Sequence, residues 1–114
     1  MPTAKAFPLS ALLSVVTGRL LALGELVDLE AHLAGRPVQL AELATTARAL
    51  RPRLLALFPE LAEAQTHLPD LDRRLAAAGR RAPVVAAWLA DVARSCALPP
   101  SYRVPAGGEP PNTP

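Results

Sequence analysis

Leu40, Leu43, Ala47, Leu50, Leu54, Leu57 and Leu61 follow one another in alternating steps of three and four residues. An α-helix returns to the same face about every 3.6 residues, whereas a strand does so every second residue. The stripe therefore belongs on helix packed against something else. Pro52 and Pro59 fall inside it, and each lacks the N–H that would bond the carbonyl four residues earlier. The spacing predicts a helix to about residue 50, a kinked or restarted one over residues 52–58, and a last turn after Pro59. Three unbroken heptads are absent, so the stripe reads as a domain's own core rather than a coiled-coil seam.

The same spacing recurs around it. Leu9, Leu12, Leu13 and Val16 mark a short first helix, and Gly18 suits the left-handed residue that ends one. Leu26, Leu29 and Leu33 line one face of a second helix closed by Gly35, with Glu25, Asp28 and His32 on another face. Leu68, Leu71 and Leu75 mark a helix that stops at Gly79, with Asp70 placed to pair with Arg73 or Arg74. Val85, Trp88, Leu89, Val92 and Cys96 mark the last. The fold class is mainly α: a small single-domain helical bundle of about five helices over residues 8–98. Residues 19–23 and 36–40 are the candidates for a minor two-stranded β element. Residues 1–7 read as a flexible N-terminus, and residues 99–114 as a Pro/Gly-rich tail, extended or disordered.

A chain of 114 residues, 51% hydrophobic and 19% charged, suits one globular core. A net charge of +2 gives little reason to expect nucleic acid, although Lys5 is the only lysine among the cations. One cysteine, Cys96, excludes an internal disulfide and fits a reducing compartment. Lys5 ahead of residues 9–16 has the outline of a secretory leader. Arg19 interrupts the apolar run, and no small-x-small cleavage site precedes Glu25, Asp28 and Glu30. With no run of ~18 uninterrupted apolar residues, the expectation is a cytoplasmic protein without a membrane span.

Candidate chemistry is sparse. His32, His67 and Cys96 lack zinc-like spacing; His32 reads as a residue of an exposed helix face and Cys96 as a small apolar one. Ser10, Ser14 and Thr17 have no nucleophile turn or nearby base, and hydroxyls at helix ends commonly bond backbone. Glu25, Asp28 and Glu30 read as a solvated surface. No catalytic, cofactor-binding or metal residue is assigned, and no cofactor is expected. Two groups remain. Thr17, Gly18 and Arg19 form a turn that is either a contact or a support, with Arg19 expected to satisfy freed helix carbonyls or to pair with Glu25 or Asp28. Arg48, Arg51 and Arg53 offer a partner contact through carboxylate or phosphate. Trp88 and Phe58 occupy apolar positions, which argues against base stacking.

The stretches LSALLSVVTGRLL, GELVDLEAHLAG and QLAELATTARALRPRLLALFPEL resemble a family of small bacteriophage and prophage proteins, a domain of unknown function. That family opens on an LSxxLSVTTGRLL-like stretch, where this chain has Val16 in place of the commoner threonine. A tryptophan helix leading to a Val-Pro segment is similar to residues 88–105. The resemblance implies phage or prophage origin and brings no activity, cofactor or catalytic residue. The function expected is a non-enzymatic phage accessory protein that binds a host or phage protein. The alternatives are a nucleic-acid-associated protein and, more weakly, a small enzyme.

Overall fold

In the computed structural model, which describes residues 4–106, the first apolar run folds as α1 (Leu9–Thr17), and Gly18 ends it in the left-handed region at φ 74°. Then come α2 (Leu23–Ala34), closed by Gly35, α3 (Leu43–Leu57), α4 (Leu68–Ala78), closed by Gly79, and α5 (Arg81–Ser95). These are the five helices of a mainly α domain. α1 is the central element: Ala11, Leu12, Leu13, Val15 and Val16 are all fully buried. It packs against α2, α3 and a 3-10 segment, Pro59–His67, while α4 packs on α5. Trp88 of α5 is buried completely, and its indole N–H donates to the His67 carbonyl at 2.9 Å.

The β element is real but built from other residues than 19–23 and 36–40. β1 (Ala4–Pro8) pairs antiparallel with β2 (Ser101–Pro105), Phe7 opposite Tyr102 and Lys5 opposite Val104. Residues 4–7 of the expected flexible N-terminus are thus a strand, and the tail begins as its partner. Residues 1–3 and 107–114 lie outside the described residues. Phe7, Tyr102 and Val104 turn inward and are buried, and the Leu9 N–H donates to the Pro100 carbonyl at 2.9 Å. Arg19 to Leu23 instead links α1 to α2 and starts the latter. Val38 is buried in the loop after Gly35, before a short 3-10 turn at Leu40–Glu42.

Two details of the long stripe also differ. α3 runs unbroken through Pro52. The carbonyl left without a donor is that of Arg48, and both residues are exposed, so water can satisfy it while Leu50, Leu54 and Leu55 hold the helix to the core. After Pro59 the chain makes a nine-residue 3-10 helix rather than a single turn. With three residues per turn, Leu61 and Ala64 stack on one side and are both buried. Of the stripe's outer members, Leu57 and Leu40 are exposed.

Candidate functional site

The turn after α1 is held from several directions. The Ser14 hydroxyl donates to the Ser10 carbonyl at 2.8 Å and accepts the Leu21 N–H at 3.0 Å. The Thr17 hydroxyl donates to the Leu13 carbonyl at 2.6 Å and accepts the Arg19 N–H at 3.2 Å. These hydroxyls are engaged by backbone, as residues at a helix end commonly are. Beyond the Gly18 N–H, which donates to the Ser14 carbonyl at 3.1 Å, the last carbonyls of α1 recruit side chains from other elements. Gln65 donates to Val16 at 2.8 Å and Arg51 to Val15 at 3.4 Å.

Arg19 does not play that part, nor does it reach Glu25 or Asp28. Its guanidinium makes a two-pronged ion pair with Asp72 of α4. That pair holds the Arg19 guanidinium above, and the Asp72 carboxyl below, their usual ranges, chiefly by hydrogen bonding. With the side chains about half exposed, solvent screens the pair and leaves it little weight in stability. Its main consequence is directional: the turn is tied to α4 and its arginine charge is matched.

The arginines of α3 divide. Arg53 donates to the Leu33 carbonyl at 3.5 Å, near the C-terminal end of α2, as Arg51 does near that of α1. Cations suit these ends because unpaired carbonyls concentrate partial negative charge there. Arg51 also lies close over Gly18, its Nη2 3.1 Å from where a Cβ would stand. Arg48 is exposed and makes no ion pair with any described residue.

A groove of about 410 Å³ brings together Gly18 and Arg19 of the first candidate group and Arg48 and Arg51 of the second, without Thr17. Gly18, Arg19 and Leu20 of the turn, Leu26 of α2, Leu40 of the 3-10 turn, and Leu43, Ala47, Arg48 and Arg51 of α3 line it. Arg53 is not part of it. Its lining holds no carboxylate, imidazole or thiol, and its one hydroxyl, Ser14, is bound to backbone. Leu40 is 67% exposed and Leu20 46%. Leu20 also lines a second groove of about 440 Å³ with Leu23, Arg81, Val85 and Leu89. The exposed leucines thus continue around the turn. Such an arrangement can bind, through aliphatic surface beside a cation, but offers no proton donor or nucleophile poised for a reaction.

Two side chains, His32 and Glu30, stand elsewhere than their sequence reading placed them. His32 is half-buried: its Nε2–H donates to the Val104 carbonyl at 2.8 Å and its ring lies 5.2 Å from that of Phe7, tying α2 to the sheet. His67, whose carbonyl accepts from Trp88, lies with Nε2 3.6 Å from Cys96 Sγ. Among the described residues no three His, Cys, Asp or Glu side chains converge as a metal site requires. Glu30 is not a surface residue. It is fully buried, with neither carboxylate oxygen partnered among the described residues, and burial pushes its carboxyl up to about 7. The signal was present, because Glu30 stands four residues after Leu26 and three before Leu33, inside their stripe.

Residues 7–64, half of the chain, match the model of a family described as Domain of unknown function (DUF7736). No curated protein and no solved structure matches the chain. The residues that line the groove beside Gly18 all fall within the matched segment, and α4 and α5 fall outside it.

Proposed function

From the premise that the chain belongs to the DUF7736 family, we propose that it is a non-enzymatic accessory protein of phage or prophage origin. It acts in the cytoplasm of the bacterial host by binding a host or phage protein, with the groove beside Gly18 as the contact. The single observation that carries this is the joining of exposed Leu20 and Leu40 with Arg48 in one concave surface. Exposed aliphatic residues grouped beside a cation are the usual ingredients of a protein contact. The phage assignment rests on the resemblance of the LSVVTGRLL stretch to phage proteins.

A nucleic-acid partner draws less support. Arg51 and Arg53 are engaged with helix carbonyls, Arg19 with Asp72, and the groove presents no aromatic face for a base. The described residues include no helix long and apolar enough to cross a membrane.

The test is affinity capture from host and phage-infected lysates, with the wild-type chain beside a Leu40→Asp/Arg48→Glu variant. One protein retained by the wild type and lost with the variant supports the reading. Reproducible retention of nothing by the folded wild type overturns it, as does binding of labelled DNA or RNA that falls steeply with salt.

A further inference from the structure

We infer that the occupant of the groove beside Gly18 is a short amphipathic helix of another protein, acidic along one flank and aliphatic along its contact face. The inference rests on the protein-binding reading and names the chemistry of its partner.

Charge supplies the first reason. Of the three arginines that line the groove, Arg19 is matched by Asp72 and Arg51 spends its Nε–H on the Val15 carbonyl. Arg48 has its whole guanidinium free of any ion pair with described residues, and Arg51 keeps the remaining N–H groups of its fork. No carboxylate lines the groove to neutralise them. A fork of that kind is complementary to a carboxylate, and a cationic peptide is repelled.

Apolar area supplies the second. Leu20 and Leu40 are large and exposed and line the groove together with Leu43 and Ala47. A sugar-phosphate backbone has nothing to place against these side chains, whereas leucine-like residues at three- and four-residue spacing do.

Backbone geometry supplies the third. Nine of the twelve lining residues belong to α1, α2, α3 or the 3-10 turn before α3, and Gly18, Arg19 and Leu20 to the turn after α1, so the lining includes no strand edge with which an extended peptide could pair. An extended peptide would lay unpaired amides against leucines. A helix brings its backbone already paired.

A display library of random peptides, panned on the folded full-length chain and counter-panned on Arg48→Glu, tests this. Enriched sequences should carry Asp or Glu beside Leu-, Ile- or Phe-type residues three or four apart, and gain helical circular dichroism when bound. A labelled peptide from the selection should bind about tenfold or more weakly to Arg48→Glu, and likewise to Leu40→Ser, while Arg48→Lys keeps most of the affinity. Arg48 and Leu40 are exposed, so both variants should melt with the wild type. Enrichment of neutral or basic peptides, equal affinity for the variants, or no saturable enrichment overturns the inference. So does a single-stranded oligonucleotide that binds in the peptide's place and is lost with Arg48→Glu. A lysate protein that Arg48→Glu and Leu40→Ser both still retain would leave protein binding standing and refute this groove and partner.

Discussion

Gly18 ends α1 in a left-handed conformation that residues with a Cβ rarely adopt. Gly18 was legible because a glycine directly after an apolar 3.6-period run is the common left-handed stop, and the backbone there turns at φ 74°. What the sequence does not carry is Arg51 of α3 lying against it. Gly18→Val should therefore lower stability by more than ~1 kcal/mol, through the strained backbone and displaced guanidinium together. A thermal melt checks this, and an unchanged midpoint would refute it. Glu30 misled because acidic neighbours suggest a wet face. Its carboxyl, held up to about 7 by burial from an ordinary value of 4.5, keeps a proton in the folded chain that the unfolded chain has released. Between those two values the folded state binds more protons, so stability falls as pH rises through the window and levels off above it. The whole decline is about 3 kcal/mol. Urea unfolding from pH 4 to 8 should show that slope, and Glu30→Met should flatten it and be the more stable chain at pH 8. A slope that persists in Glu30→Met would assign the titration to another group.

At the level of elements, existence was easier to read than continuity. Each helix announced itself by apolar spacing, and the glycine stops at residues 18, 35 and 79 all proved to be left-handed caps. Pro52 was read as a break because the missing N–H and the ring crowding are local and certain, while the packing that outweighs them is not local. Leu54 is fully buried and Leu50 and Leu55 are partly so, and that burial carries α3 through the proline. Pro52→Ala restores a donor to the Arg48 carbonyl and relieves the crowding, against a smaller gain in unfolded-chain freedom. Stability should rise by about 1 to 2 kcal/mol. A lower midpoint in chemical denaturation would mean instead that the proline's geometry is needed to seat Leu54. The 3-10 segment after Pro59 had its own trace in the sequence. Phe58, Leu61, Ala64 and His67 recur at steps of three, a period that suits three residues per turn better than 3.6.

At the scale of the whole molecule, the part hardest to foresee is the clasp between the two ends of the described chain. β1 and β2 are each five residues long, each ends on a proline, and all five α-helices lie between them in the chain. A strand with one or two inward apolar residues has no periodic signal of its own, and its partner is invisible to any local window. Proline content then pushed the reading of residues 99–106 towards a loose tail. The groove had the same obstacle, since the Gly18 turn and the arginines of α3 meet only after α1 and α3 have packed. The clasp closes the core rather than decorating it. Phe7, Tyr102 and Val104 are buried together, Tyr102 donates to Glu60 at 3.1 Å and lies edge-on to Phe58, and the Val104 carbonyl receives His32. Ending the chain after Leu98 should cost about 3 kcal/mol or more from Tyr102 and Val104 alone, since burial of each such side chain contributes about 1.5 to 3 kcal/mol. Exposure of Phe7 and the orphaned His32 adds to that loss. The shortened chain should melt at a clearly lower temperature and lose hydrogen-exchange protection first at Leu9, whose N–H bonds to Pro100. Equal midpoints for the full and shortened chains would show that the sheet lies on the helical core without supporting it. The groove beside Gly18 is lined by α1, α2, α3 and the turns between them, so a shortened chain that still folds should keep its affinity for a selected acidic peptide.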